Sequence, residues 1–178
     1  MMRLWGLHPW PHLVPLILLL ALQTVLLARI ARLRGGSPAL AWLVAATAWA
    51  QVNTHAWTAL WPSNVTGGLM ATFLLLALFM HHGAVRQAGE GCGAATRVIL
   101  GMVSASLALI SKEEAVLLPL VLGWLEALRW GRLGTPARRT ALASWIGISL
   151  VVACYVAIRF VALPATRTPG STTRPSSG

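Results

Sequence analysis

The stretch VILGMVSASLALISKEEAVLLPLVLGWL, residues 98–125, holds two apolar runs parted by four polar residues, Ser111-Lys112-Glu113-Glu114. Read as one straight helix, 98–128 runs about 46 Å at about 1.5 Å per residue, well beyond a hydrocarbon core of about 30 Å. The polar residues must therefore break it. S-x-x-E before an apolar run is a capping-box pattern, in which the serine oxygen accepts from the amide three residues on and the glutamate reaches back to the serine amide. Ser111 and Glu114 are thus expected to cap a new helix, and Pro119 to kink it. Lys112 is the only lysine, and only Glu90 and Glu126 are acidic outside the cluster. Charges set between apolar segments mark an interface, a cavity or a site, because a charge inside a bilayer costs several kcal/mol.

Composition extends this reading to the whole chain. Of 178 residues, 57% are hydrophobic and 10% charged, against roughly 25% charged in soluble domains. The fold class expected is all-α, a multi-pass integral membrane protein of about six transmembrane helices. The spans fall at 13–31, 38–56, 65–80, 97–110, 112–128 and 140–163. Helix follows from the need to pair every backbone amide within its own segment, since the alternating pattern of a membrane barrel is missing. Residues 1–163 then form one transmembrane domain. The tail 164–178, rich in Pro, Ser, Thr and Gly, is expected to be disordered.

The net charge of +10 is sorted by loop. Arg29, Arg32 and Arg34 follow the first span, Arg86 and Arg97 flank the loop after the third, and Arg129, Arg132, Arg138 and Arg139 surround the loop after the fifth. By the positive-inside rule these connections are cytoplasmic and both termini face outward, as in a bacterial inner membrane. Nucleic acid is excluded as a partner, because no binding motif or aromatic-basic interleaving accompanies the arginines. Arginines after the first apolar run, where a cleaved leader has small residues, argue against a secretory signal.

The outward side then carries the chemistry. A helix N-terminus bearing Lys112 suits the phosphate of a lipid, and Glu113 and Glu114 either neutralise that lysine or hold a divalent metal that bridges to phosphate. The bland reading is a helix cap with Lys112 snorkelling to the interface. The other outward loop holds His55, Trp57 and Trp61, of which the tryptophans suit an aromatic belt. Cys92 and Cys154 are not expected to pair, and His81 and His82 with Cys92 lack metal-ligand spacing, so no resident metal or cofactor is assigned. Gly101, Ser104, Gly147 and Ser149 read as sites of close helix packing.

In their order, these features resemble the multispan GT-C glycosyltransferases, nearest the O-mannosyltransferase-like proteins whose membrane part precedes tetratricopeptide repeats. The matching positions are His12, His55, Trp61, Ser111, Lys112, Glu113, Pro119 and Arg159. The resemblance implies transfer of a sugar from a polyprenyl phosphate to an outward-facing acceptor, with Lys112, Glu113 and His55 at the lipid phosphate. It also implies a catalytic carboxylate in an outer loop before the part matched here. Aspartate is absent, and Val52-Asn53 and Trp57 stand where the family has His-Pro and a glutamate before the tryptophan. The chain is therefore expected to be a fragment or degenerate copy, with no catalytic residue assigned. Two other readings are a noncatalytic polytopic protein packing against a membrane-protein partner, and a transporter using Lys112, Glu113 and Glu114. The second lacks the internal repeats usual in transporters.

Overall fold

A computed structural model describes residues 10–54 and 63–165. Among these residues every regular element is helical: α1 Trp10–Leu33, α2 Pro38–Thr54, α3 Ser63–Gly89, α4 Ala95–Ser111, α5 Leu118–Ala127 and α6 Thr135–Ala165. Short 3₁₀ turns, Glu113–Leu117 and Trp130–Arg132, precede and follow α5. The stretches Thr66–Gly89 and Thr135–Val161 are long and apolar enough to cross a membrane, and α4 is a shorter apolar helix. The expected fifth span is corrected, because residues 112–128 do not form one continuous helix. Lys112 adopts an extended conformation (φ −162°, ψ 136°), a 3₁₀ turn follows, and α5 proper has 10 residues, about 15 Å of helix. Pro119 does not kink a helix interior but lies in the first turn of α5, where its missing N–H costs nothing. Pro164 and Ala165, expected to begin the tail, belong to α6, and residues 166–178 lie outside the described residues. His55, Trp57 and Trp61 lie outside the described residues.

Packing follows an inside-out rule. Alanines 77, 84, 105, 108 and 141 are buried, while Trp42, Ile110, Leu120, Trp124, Ile158 and Phe160 point outward, at 66% exposure or more. Water-soluble monomers seldom expose so much contiguous apolar surface, whereas helices in lipid approach through small side chains and leave large ones on the outside. Near Lys112, Ala108, Leu109, Ala115 and Val152 form one layer. Next come Ala77, Ala105, Leu118, Leu122 and Ile148, and at the far end Val85, Ala137 and Ala141. Thus α5 folds back along α3, α4 and α6. Of the residues expected at close contacts, Gly101 and Ser104 are buried and Gly147 lies under Met102, whose Sδ would be 2.9 Å from an added Cβ. Ser149 is half-buried and donates to the Trp145 carbonyl at 2.8 Å.

Polar groups fasten the bundle at a few points. The Gln23 amide of α1 donates to the Gly68 carbonyl (2.9 Å) and the Thr72 hydroxyl (3.0 Å) of α3. The Trp145 indole of α6 donates to the Pro119 carbonyl at 2.8 Å, and Gly123 leaves room for that indole to lie against α5. If small residues set the spacing, Ala105→Leu should destabilise the protein by about 1–3 kcal/mol through overpacking. Ile110→Ala, on the outer surface, should leave thermal unfolding in detergent nearly unchanged.

Candidate functional site

At the Lys112 corner the break is made by local hydrogen bonding. The Lys112 amide donates to Ala108 O at 2.9 Å, closing the last turn of α4. The Ser111 hydroxyl donates to Leu107 O at 2.8 Å. The expected capping box does not form: Lys112, not Ser111, is the N-cap residue, and no side chain caps the 3₁₀ turn. The Ser111 hydroxyl turns back on its own helix instead, a bond to the carbonyl four residues earlier that serine readily makes.

The charges pair among themselves. Lys112 Nζ lies 2.8 Å from Glu114 Oε2, both side chains about half-exposed. Glu113 pairs with Arg159 near the end of α6, and Arg159 also donates to the Tyr155 hydroxyl at 3.1 Å. Of the residues expected around a lipid phosphate, Lys112 and Glu113 are therefore neighbours and gain Arg159, while His55 falls outside the described residues.

A second polar group lies where the far layers meet. His81 and His82 near the end of α3 and Glu126 in the last turn of α5 are all buried, as is Ser144 of α6. His81 Nδ1 and Ser144 Oγ are hydrogen-bonded at 2.9 Å. His81 Nε2 lies 3.2 Å and His82 Nδ1 3.6 Å from Glu126 Oε1. These are close approaches without hydrogen-bond geometry, for His81 Nε2, His82 Nε2 and both Glu126 oxygens have no hydrogen-bond partner. Arg129 adds a guanidinium, its Nη1 3.3 Å from His82 Nδ1 and 3.6 Å from Glu126 Oε1. Just past α1, Arg34 reaches the Leu125 carbonyl at 3.5 Å. Burial and the nearby Arg129 pull Arg34 below the ordinary arginine value, against the opposing pull of Glu126.

In the sequence His81 and His82 with Cys92 lack metal-ligand spacing. Glu126, 44 residues beyond His82, supplies the missing carboxylate, and only the return of α5 brings it there. No protein-family model, curated protein or solved structure matches the chain.

Two substitutions separate the sites. Ser111→Ala removes no cap, so its effect should stay within the ±0.5 kcal/mol usual for surface changes. Ser144→Ala strands His81 Nδ1 and should cost about 1 kcal/mol, the scale of an interhelical polar contact in membrane bundles, read as a lower midpoint of thermal unfolding in detergent.

Proposed function

We propose that the chain is a GT-C-like multi-pass membrane protein whose Lys112 corner binds the phosphate of a polyprenyl-phosphate sugar at the outward face. The observation that carries this reading is the meeting of Lys112 and Arg159 at one corner, each held by a neighbouring carboxylate. An arriving phosphodiester, with one negative charge shared by its free oxygens, takes the place of those carboxylates, and Arg159 offers it a planar pair of donors. Glu113 and Glu114, once released, are placed to hold a divalent ion against the phosphate oxygens. Retention of lipid phosphate, not sugar transfer, is the activity proposed, since the corner presents no group assigned as a base toward an acceptor hydroxyl.

Orientation rests on the opposite end. Arg29, Arg32, Arg86 and Arg97, from three helices, line one cavity of about 520 Å³. Such clustering supports the cytoplasmic assignment of that end, where anionic lipid attracts arginine. Outward termini and six crossings, with residues 112–128 as a short return segment, complete the proposed topology.

In proteoliposomes, Lys112→Ala and Arg159→Ala should each weaken binding of a radiolabelled polyprenyl-phosphate sugar at least tenfold, and wild type should label no acceptor. Equal binding by wild type and both variants would sink the phosphate site. For topology, a Lys112→Cys chain lacking both native cysteines should react with an impermeant maleimide in intact cells. Native Cys92, which is exposed, should react only after permeabilisation in a Cys154→Ser chain; the reverse pattern inverts the topology.

A further inference from the structure

The geometry points to a divalent transition-metal site formed by His81, His82 and Glu126, at the end of the bundle away from Lys112 and independent of the phosphate reading. One ligand atom from each of the three residues lies within 4.8 Å of the others, and all three residues are buried. A tetrahedral zinc ion, with bonds of roughly 2.0–2.1 Å, holds its ligand atoms roughly 3.3–3.5 Å apart. The His81 Nε2 and His82 Nδ1 separations from Glu126 Oε1, 3.2 and 3.6 Å, already bracket that spacing. The two imidazoles stand edge to face with centroids 5.3 Å apart, so modest side-chain rotation closes the third edge.

Satisfaction of polar groups argues the same way. Buried polar atoms are nearly always hydrogen-bonded, and a group of them without partners calls for a cause. Here one buried cluster holds His81 Nε2, His82 Nε2 and both Glu126 oxygens without one. A cation between the side chains would meet the unpartnered His81 Nε2 and Glu126 carboxylate together, with His82 Nδ1 as third ligand; His82 Nε2, on the far edge of its ring, is not satisfied by it. Ser144 completes the arrangement from outside: its hydroxyl occupies His81 Nδ1, which orients Nε2 toward Glu126, as second-shell partners of metal-bound histidines do.

Two nitrogens and a carboxylate oxygen, with no thiolate, suit zinc and its neighbours Co²⁺ and Ni²⁺, and three protein ligands leave a position open. Glu126 lines an apolar cavity of about 440 Å³ together with Trp130 and Trp145, but its carboxylate oxygens are buried, so an ion reaches them only when side chains move. Arg129 opposes the metal. Its guanidinium competes for Glu126 Oε1 and for His82 Nδ1. Its side chain is partly exposed, and it must swing toward solvent for the ion to enter.

That competition yields a test which a purely structural ion pair would fail. Tag-free full-length protein in detergent, with Cys92→Ser and Cys154→Ser to remove thiols, is stripped with chelator and titrated with Zn²⁺ and Co²⁺. Stoichiometry is read by elemental analysis after dialysis, and geometry by the Co²⁺ visible spectrum. One Zn²⁺ per chain is expected, with the intense Co²⁺ bands of a four-coordinate site. Affinity should fall at least tenfold in His82→Ala and Glu126→Gln and about tenfold in Ser144→Ala, and rise at least threefold in Arg129→Gln. Less than a tenth of an ion per chain in the parent protein would overturn the site, a result that needs no variant to fold. Binding unaffected by Glu126→Gln, in protein whose circular dichroism matches the parent, would overturn it equally.

Discussion

Close approach of helix backbones is the constraint on which this bundle depends. Where the surroundings are as apolar as the side chains, helices gain nothing by hiding leucine from solvent, and they associate only where small residues allow contact along the backbone. Ala77, Ala105 and Ala108 give α3 and α4 that surface, and Ala137, Ala141 and Ser144 give it to α6. Many large side chains lie outward in consequence, while Leu118, Leu122 and Ile148 fill the remaining space between the helices. The same tight spacing leaves little room for water, so polar groups caught between the helices must satisfy one another.

Two polar groups answer that demand in different ways. At the Lys112 corner the charges are half-exposed and pair one to one, an arrangement worth little to stability and easily exchanged for another partner. Around Glu126 the groups are buried and mismatched: one carboxylate meets two histidines and Arg129 without the angles for hydrogen bonds. A loosely paired exposed corner suits exchange with an outside anion, whereas a buried cluster with unused lone pairs suits capture of a cation. Both depend on the return of α5, which begins at the first group and ends at the second.

Local features were legible in the sequence and distant ones were not. Four polar residues between two apolar runs announced the break at Lys112, because the cost of charge in an apolar helix is a local matter. The capping box fails because the Ser111 hydroxyl has two uses, and the bond back to Leu107 prevails. Pro119 kinks nothing, because the α-helix begins only at Leu118 and the proline stands in its first turn. His81 and Glu126 are 45 residues apart, and no periodicity links them; only a chain that reverses after α4 joins the two. The pairing of Glu113 with Arg159 is equally long-range, and the two share a corner because α6 runs the length of the bundle.

The shortness of α5 bears on how the chain is assembled. About 15 Å of helix is too little for the segment to settle in lipid alone, and its polar backbone ends need cover from neighbours. It therefore depends on α4, with which it forms a helical hairpin that has Lys112, Glu113 and Glu114 at its tip. Lys112 and Glu114 neutralise each other within that hairpin, but Glu113 has to wait for Arg159 of α6, which is synthesised after both helices of the hairpin. Closure of the corner is thus a late event in biogenesis, and a ribosome stalled before α6 would leave the hairpin tip one charge out of balance.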